Sequence, residues 1–170
     1  MFQMSQILAI SLFFHLLATT IWVGGLLITS LMIWPEARRT LIGSGTLYLF
    51  LSRMRQRFTP WGNFSLAVLI VTGLIQMSLD ENYSGFLSFK NTWSVVILLK
   101  HIAIGGMIVS GAILQYAVFP ALERTTLRLQ HGKDGLEDWH ALRKTEIRLT
   151  RLNLILGVAV LAFSAWAITL

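Results

Sequence analysis

The chain has 170 residues, a formal charge of +6 and no cysteine, and its side chains are 55% hydrophobic and only 13% charged. A soluble domain carries about 25% charged residues, so this is the composition of an integral membrane protein. The absence of cysteine excludes disulfides, thiolate metal sites and cysteine nucleophiles. The positive charge falls between apolar runs, where a membrane protein carries its cytoplasmic arginines, and does not call for nucleic acid as a partner.

In chain order, the sequence predicts an all-α, polytopic membrane protein: one domain over residues 1–170, folded as a four-helix antiparallel bundle. No charged residue occurs from Met1 to Pro35, and the first span is expected at about 6–34. A signal peptide would need a basic leader and a small-residue cleavage site, and the stretch is too long for one. The second span is expected at about 62–79, the third at 92–119, interrupted only by Lys100 and His101, and the fourth at 152–170. Pro35 and Pro120 are expected just past helix ends and Pro60 just before a helix start. The segment Leu47–Phe58 reads as a helix lying along the membrane surface or adjoining a span, and Gln130–Gly135 as a turn between charged helical extensions.

Charge sets the orientation. The first loop carries Arg38, Arg39, Arg53, Arg55 and Arg57 against Glu36. The third carries Arg124, Arg128, Lys133, Arg143, Lys144, Arg148 and Arg151 among its acids, whereas the second has only Lys90 with Asp80 and Glu81. Basic residues accumulate on the cytoplasmic side, so loops one and three are expected inside and both termini outside, in the bacterial inner membrane. His131 and His140, in the third loop, read as solvated surface residues.

Two ionisable rings remain inside the spans. His15 and His101 each lie about five residues outward of their span's midpoint, roughly 7–8 Å from the midplane at 1.5 Å per residue. Intramembrane ionisable residues mark functional sites by default. In an up-down-up-down bundle the first and third helices are diagonal and parallel, so the two imidazoles are expected to converge on one guest, as in a six-coordinate b-type haem. Trp22 and Gly25 share the face of His15, and Gly105 that of His101; small residues there admit a flat macrocycle or close helix packing alike. Lys100 points about 100° away from His101, towards Val96, Ala103 and Met107. It suits a haem propionate, a carboxylate substrate, an axial ligand, or merely a watery vestibule. Gln76, in the outer part of the second span, is placed to donate to a ligand at that level. Asn153, near a cytoplasmic helix end, reads as a cap or an interhelical bond. No Ser-His-Asp order, phosphate loop or carboxylate pair occurs within the spans, so a stand-alone enzyme is not expected.

These residues resemble the copper-resistance D (CopD-like) membrane family. The resemblance rests on His15 followed by Trp22-Val23-Gly24-Gly25 and Pro35, on Arg57-Phe58 leading into a span with Thr72-Gly73, and on Lys100 in the third span. It implies copper handling across the inner membrane, often within a larger protein that has a periplasmic partner. Met4, Met77 and Met107 are the methionines placed to join the histidines as soft ligands. More distantly, the chain is similar to HemJ-like four-helix proteins, which pair a histidine in the first helix with a lysine in the third. That resemblance implies b-type haem and points to His15 and Lys100.

Three functions follow as expectations. The first is a haem b protein with His15 and His101 as axial ligands, transferring electrons from a donor such as quinol or serving a larger redox complex. The second is a copper transporter or copper-binding protein using the same histidines. The third is a structural accessory subunit of a respiratory or photosynthetic complex. Beyond these, the lipid bilayer is the one partner that the composition requires.

Overall fold

The computed structural model describes residues 2–41, 46–81, 83, 91–132 and 134–170. Lys90 and Lys133, which entered the charge reading, lie outside them. The described residues form helices α1 (Phe2–Leu27), α2 (Trp34–Leu41), α3 (Thr46–Ser78), α4 (Thr92–Ile113), α5 (Phe119–Gln130) and α6 (Leu136–Ala167). π-helical turns at Ile28–Ile33 and Leu114–Val118 join α1 to α2 and α4 to α5. Four stretches are long and apolar enough to cross a membrane: Met4–Ala37, Leu49–Ser78, Thr92–Gln130 and Leu136–Ala167.

All three prolines lie inside helical rods, which corrects the expected boundaries. A proline has no N–H and its ring presses on the carbonyl four residues back. Before Pro35 and Pro120 the chain widens into a π-turn, and the N–H of the preceding residue reaches back five positions. Trp34 thus donates to the Thr29 carbonyl and Phe119 to that of Leu114. Pro60 stands within the unbroken α3, where the Thr59 hydroxyl donates to the Arg55 carbonyl at 2.8 Å. The segment 47–58 is therefore the first third of α3, not a separate surface helix. At roughly 50 Å, α3 overreaches a hydrocarbon core of about 30 Å, which carries its arginines out to the head groups. The expected turn after Gln130 is present, with Gly132 at φ 69° and Gly135 at φ 154°, conformations that favour glycine. His131 and His140 are exposed on either side of it.

Packing divides the bundle into two hairpins. α1 lies chiefly on α3, and α4 chiefly on α6; the hairpins meet mainly through α1 with α6, and less through α3 with α5, whereas α1 and α4 make no substantial contact. That is the diagonal relation expected of the first and third spans. Apolar side chains cover the lipid-facing sides, such as Phe13, Leu16 and Ile102, so hydrophobicity does not distinguish inside from outside. Small and polar residues mark the inside instead, as membrane helix packing requires: Ser11, Ala18, Ser65, Thr72, Ala103 and Ser110 are all buried.

Asn153 is 3% exposed and accepts a hydrogen bond from Ser110 Oγ at 3.0 Å, so its role is interhelical. Such bonds within membranes average about 0.6 kcal/mol. Ser110→Ala is accordingly expected to cost about that much in the unfolding of detergent-solubilised protein, and a loss several times larger would show that the bond does more than pack α4 on α6.

At the basic end, two arginines share one acid. Arg55 of α3 pairs with Glu146 of α6 at 3.4 Å, and Arg143 pairs with the same carboxylate, all three side chains being 11–14% exposed. The Arg143 guanidinium lies 3.7 Å from the centre of the Trp34 ring, and that of Arg55 lies 4.6 Å from the centre of Phe119. Gln56 Nε2 donates to Glu123 at 2.9 Å beside them. The two arginine-rich connections thus share one end of the bundle, as the orientation by charge requires.

Candidate functional site

The inward seam of α4 runs through Trp93, Val96, Ala103, Met107 and Ser110, all buried. Lys100 falls on that seam, one turn from Val96 and from Ala103. His101 is the next residue and therefore lies about 100° around the helix, with the exposed Ile108 and Ala112 on its side. Its Nδ1–H is turned back to the Ile97 carbonyl of its own helix at 2.7 Å. The residue that α4 directs inward at this level is the lysine.

His15 occupies the matching seam of α1, between the buried Ser11 and Ala18. Its Nδ1 lies 2.8 Å from Thr72 Oγ1. The Thr72 hydroxyl spends its own proton on the Val68 carbonyl at 2.6 Å, so it accepts from the ring. The proton of the neutral imidazole is thereby fixed on Nδ1 and the lone pair on Nε2, the tautomer that an oriented metal-binding histidine uses. Ser11 Oγ donates to the Thr72 backbone carbonyl at 3.2 Å, holding α1 in register with α3. A Cβ added at Gly73 would lie 3.6 Å from His15 Cε1, so the ring packs directly on the α3 backbone. The structure thus brings His15 together with Thr72 and Gly73 of α3.

The other predicted residues surround this core. Trp22 stands two turns further along the α1 seam, its ring 3.9 Å from a Cβ built on Gly62, and its buried Nε1 finds no hydrogen-bond partner among the described residues. Beside Gly25 and Gly105 there is open space, with nothing within 4 Å of an added Cβ. Gln76, one turn from Thr72, has a buried Nε2 that finds no hydrogen-bond partner among the described residues. Met107 reaches the bundle interior, its Cε 3.6 Å from a Cβ built on Gly157. Among the described residues, no group of three or more histidines and carboxylates is placed to hold a metal ion. Sequence reasoning missed Thr72 as the partner of His15; its signal was the spacing Ser65–Thr72–Gln76, polar residues on one face of an otherwise apolar span.

The family model for copper resistance protein D matches residues 52–167. The chain belongs to the copper resistance protein D family. The match takes in Thr72, Gln76 and Lys100 and begins after α1, so His15 enters the site through its bond to a residue of the matched region. No curated protein and no solved structure gives a significant match to the chain. Membership of this family and the four apolar rods make the chain a multi-pass membrane protein of a copper-resistance family. The family favours copper over haem, reversing the order that the two histidines suggested.

Substituting Thr72 by valine removes the acceptor of the imidazole proton together with the hydroxyl's own bond to the Val68 carbonyl, and leaves the backbone carbonyl that Ser11 bonds to. Loss of such an outer partner weakens metal binding by about 10–100-fold. Thr72→Val is expected to weaken retention of Cu(I) by that factor, read by competition with a chelator, with little change in thermal unfolding. An unchanged affinity would remove Thr72 from the site.

Proposed function

We propose that this chain handles copper in the bacterial cytoplasmic membrane, with His15 Nε2 as the first copper ligand, in the outer half of the bundle. The reading is carried by one observation: a half-buried imidazole in an uncharged span, its tautomer fixed by Thr72 so that the nitrogen lone pair is presented, in a copper-resistance family. Imidazole and thioether are donors that suit copper, the thioether favouring Cu(I). Met107, two turns inward of Lys100 on the same seam, and Met77, beside Gln76, are the sulfur donors nearest in register. The arginine-rich end faces the cytoplasm, which puts His15 and Gln76 on the outer side, where copper arriving from outside would meet them first. The bilayer keeps water from the site, so a copper ion bound there exchanges its hydration for protein donors.

The test is direct. Purified protein loaded with Cu(I) and passed through a desalting column should retain copper in proportion to protein, and cells carrying the chain should differ in copper content from cells without it. Copper-free eluate together with unchanged cellular copper would defeat the proposal. An absorption spectrum taken on the same sample separates the haem alternative, since a Soret band would restore haem as the ligand.

A further inference from the structure

Arg53 and Arg57 of α3 take no part in the contacts described above. They stand one turn apart and exposed, while Arg55 between them turns inward to Glu146. Among the described residues two hollows flank the pair. The first, of about 370 Å³, follows α3 from Thr46 to Phe58; both arginines line it, with Leu49, Phe50, Met54 and Phe58. The second, of about 200 Å³, lies between α3 and α5. It shares Arg53 with the first and adds the polar side chains of Ser52, Gln56, Glu123, Thr126 and Gln130. Arg53 is thus the wall between an apolar groove and a polar one. The first span gives the depth of this place. Ser11 meets Thr72, Trp22 meets Gly62, and Trp34 packs with Leu47 and Leu51, an antiparallel register that sets Ile28 and Leu31 level with residues 53–57. Both are exposed, at 50% and 64%, so the apolar zone of the bilayer reaches the two arginines. Guanidinium groups at that depth reach for lipid phosphates. Glu146 is already engaged by Arg55 and Arg143, and Glu123 accepts from Gln56.

We propose that this face of α3 binds one anionic phospholipid of the cytoplasmic leaflet, its phosphate held between Arg53 and Arg57. An acyl chain runs from the apolar groove past Met54 and Phe58 toward the exposed Trp61. The head group extends the other way, into the polar hollow, where its hydroxyls meet Ser52, Gln56 and Gln130. Glu123 lines that hollow too, so a second negative charge on the head group is disfavoured while a hydroxyl finds an acceptor. Two cations and one anion leave a single positive charge, which one monoanionic lipid neutralises. Basic pockets at the cytoplasmic ends of membrane helices take lipid head groups in this way. The site lies at the opposite end of the bundle from His15 and does not rest on the copper reading.

The full-length protein in a neutral detergent is titrated with phosphatidylglycerol, phosphatidylethanolamine or phosphatidylcholine of the same acyl chains, and bound lipid is counted by native mass spectrometry. One phosphatidylglycerol per chain should be held on the order of tenfold more tightly than either zwitterionic lipid. Arg53→Gln combined with Arg57→Gln should erase that preference. Arg124→Gln combined with Arg128→Gln removes the same charge from exposed positions of α5 and should leave it intact. Equal loss in the two double variants overturns the site, because the preference would then follow charge alone. Equal affinity for phosphatidylethanolamine overturns the anionic lipid. Millimolar inorganic phosphate that displaces the lipid gives the arginines to a free anion. A dimer that forms without lipid and dissociates in the Arg53→Gln, Arg57→Gln variant gives the groove to a second copy. Either of these results overturns the proposal. The lipid comparison and the phosphate competition use the native chain, so they decide the matter even where a variant fails to fold.

Discussion

Replacing Glu146 with alanine should cost the protein about 3–5 kcal/mol of stability, the scale at which removing one partner of a buried ion pair leaves a charge uncompensated. Here a single carboxylate serves both Arg55 and Arg143, and all three side chains are largely withdrawn from solvent. Among the described residues the Nε atoms of both arginines find no hydrogen-bond partner, so without Glu146 the two guanidinium groups keep their aromatic neighbours but no carboxylate. Removing Arg143 should do far less harm, because Arg55 and Glu146 would still neutralise one another. Arg143→Met loses its own bond to Glu146 and the stacking on Trp34, the latter worth about 0.5–2 kcal/mol. The expected order in unfolding of the detergent-solubilised protein is therefore native, then Arg143→Met, then Glu146→Ala well below both. A Glu146→Ala variant as stable as Arg143→Met would show that water reaches the cluster and that the shared acid is not its centre.

The architecture was legible because two signals do not depend on contacts. Hydrocarbon demands long uncharged runs, and arginines accumulate on one side, so four spans and the shared basic end could be read from one-dimensional patterns. Prolines misled the boundaries. Their cost was absorbed by π-turns before Pro35 and Pro120, a three-dimensional solution that leaves no composition signal. The site was half legible, for a geometric reason. Counting from span midpoints assigns a depth, the same one to His15 and His101; but neighbouring residues on a helix differ by about 100° in direction, and depth says nothing of direction. In a soluble helix the apolar stripe would have told Lys100 from His101. In α4 the lipid-facing residues are as apolar as the buried ones, so the stripe disappears. The arginine cluster was hidden differently: Arg55 and Glu146 are joined only by folding, and nothing local distinguishes Arg55 from Arg53 and Arg57, which point to solvent.

His15→Ala is expected to give the largest functional effect, a loss of Cu(I) affinity beyond the 10–100-fold assigned to its outer partner Thr72, because it removes the donor atom itself. The fold should survive the change. His15 is only half buried and donates a single hydrogen bond, and Thr72 keeps its bond to Val68 and accepts Ser11 at its carbonyl. A net hydrogen bond is worth about 0.5–1.5 kcal/mol, so the thermal midpoint should fall by a few degrees at most. His101→Ala makes the sharper comparison, since span counting gives the two rings one depth while the helix turn gives them different directions. With His101 off the inward seam and bonded to its own helix, its loss should leave Cu(I) affinity within a few-fold of native. If the two alanine variants lose copper equally, the imidazoles act as a pair and the seam argument fails. If only His15→Ala loses it, the inward direction of the α1 ring, set by Thr72, is what makes the site.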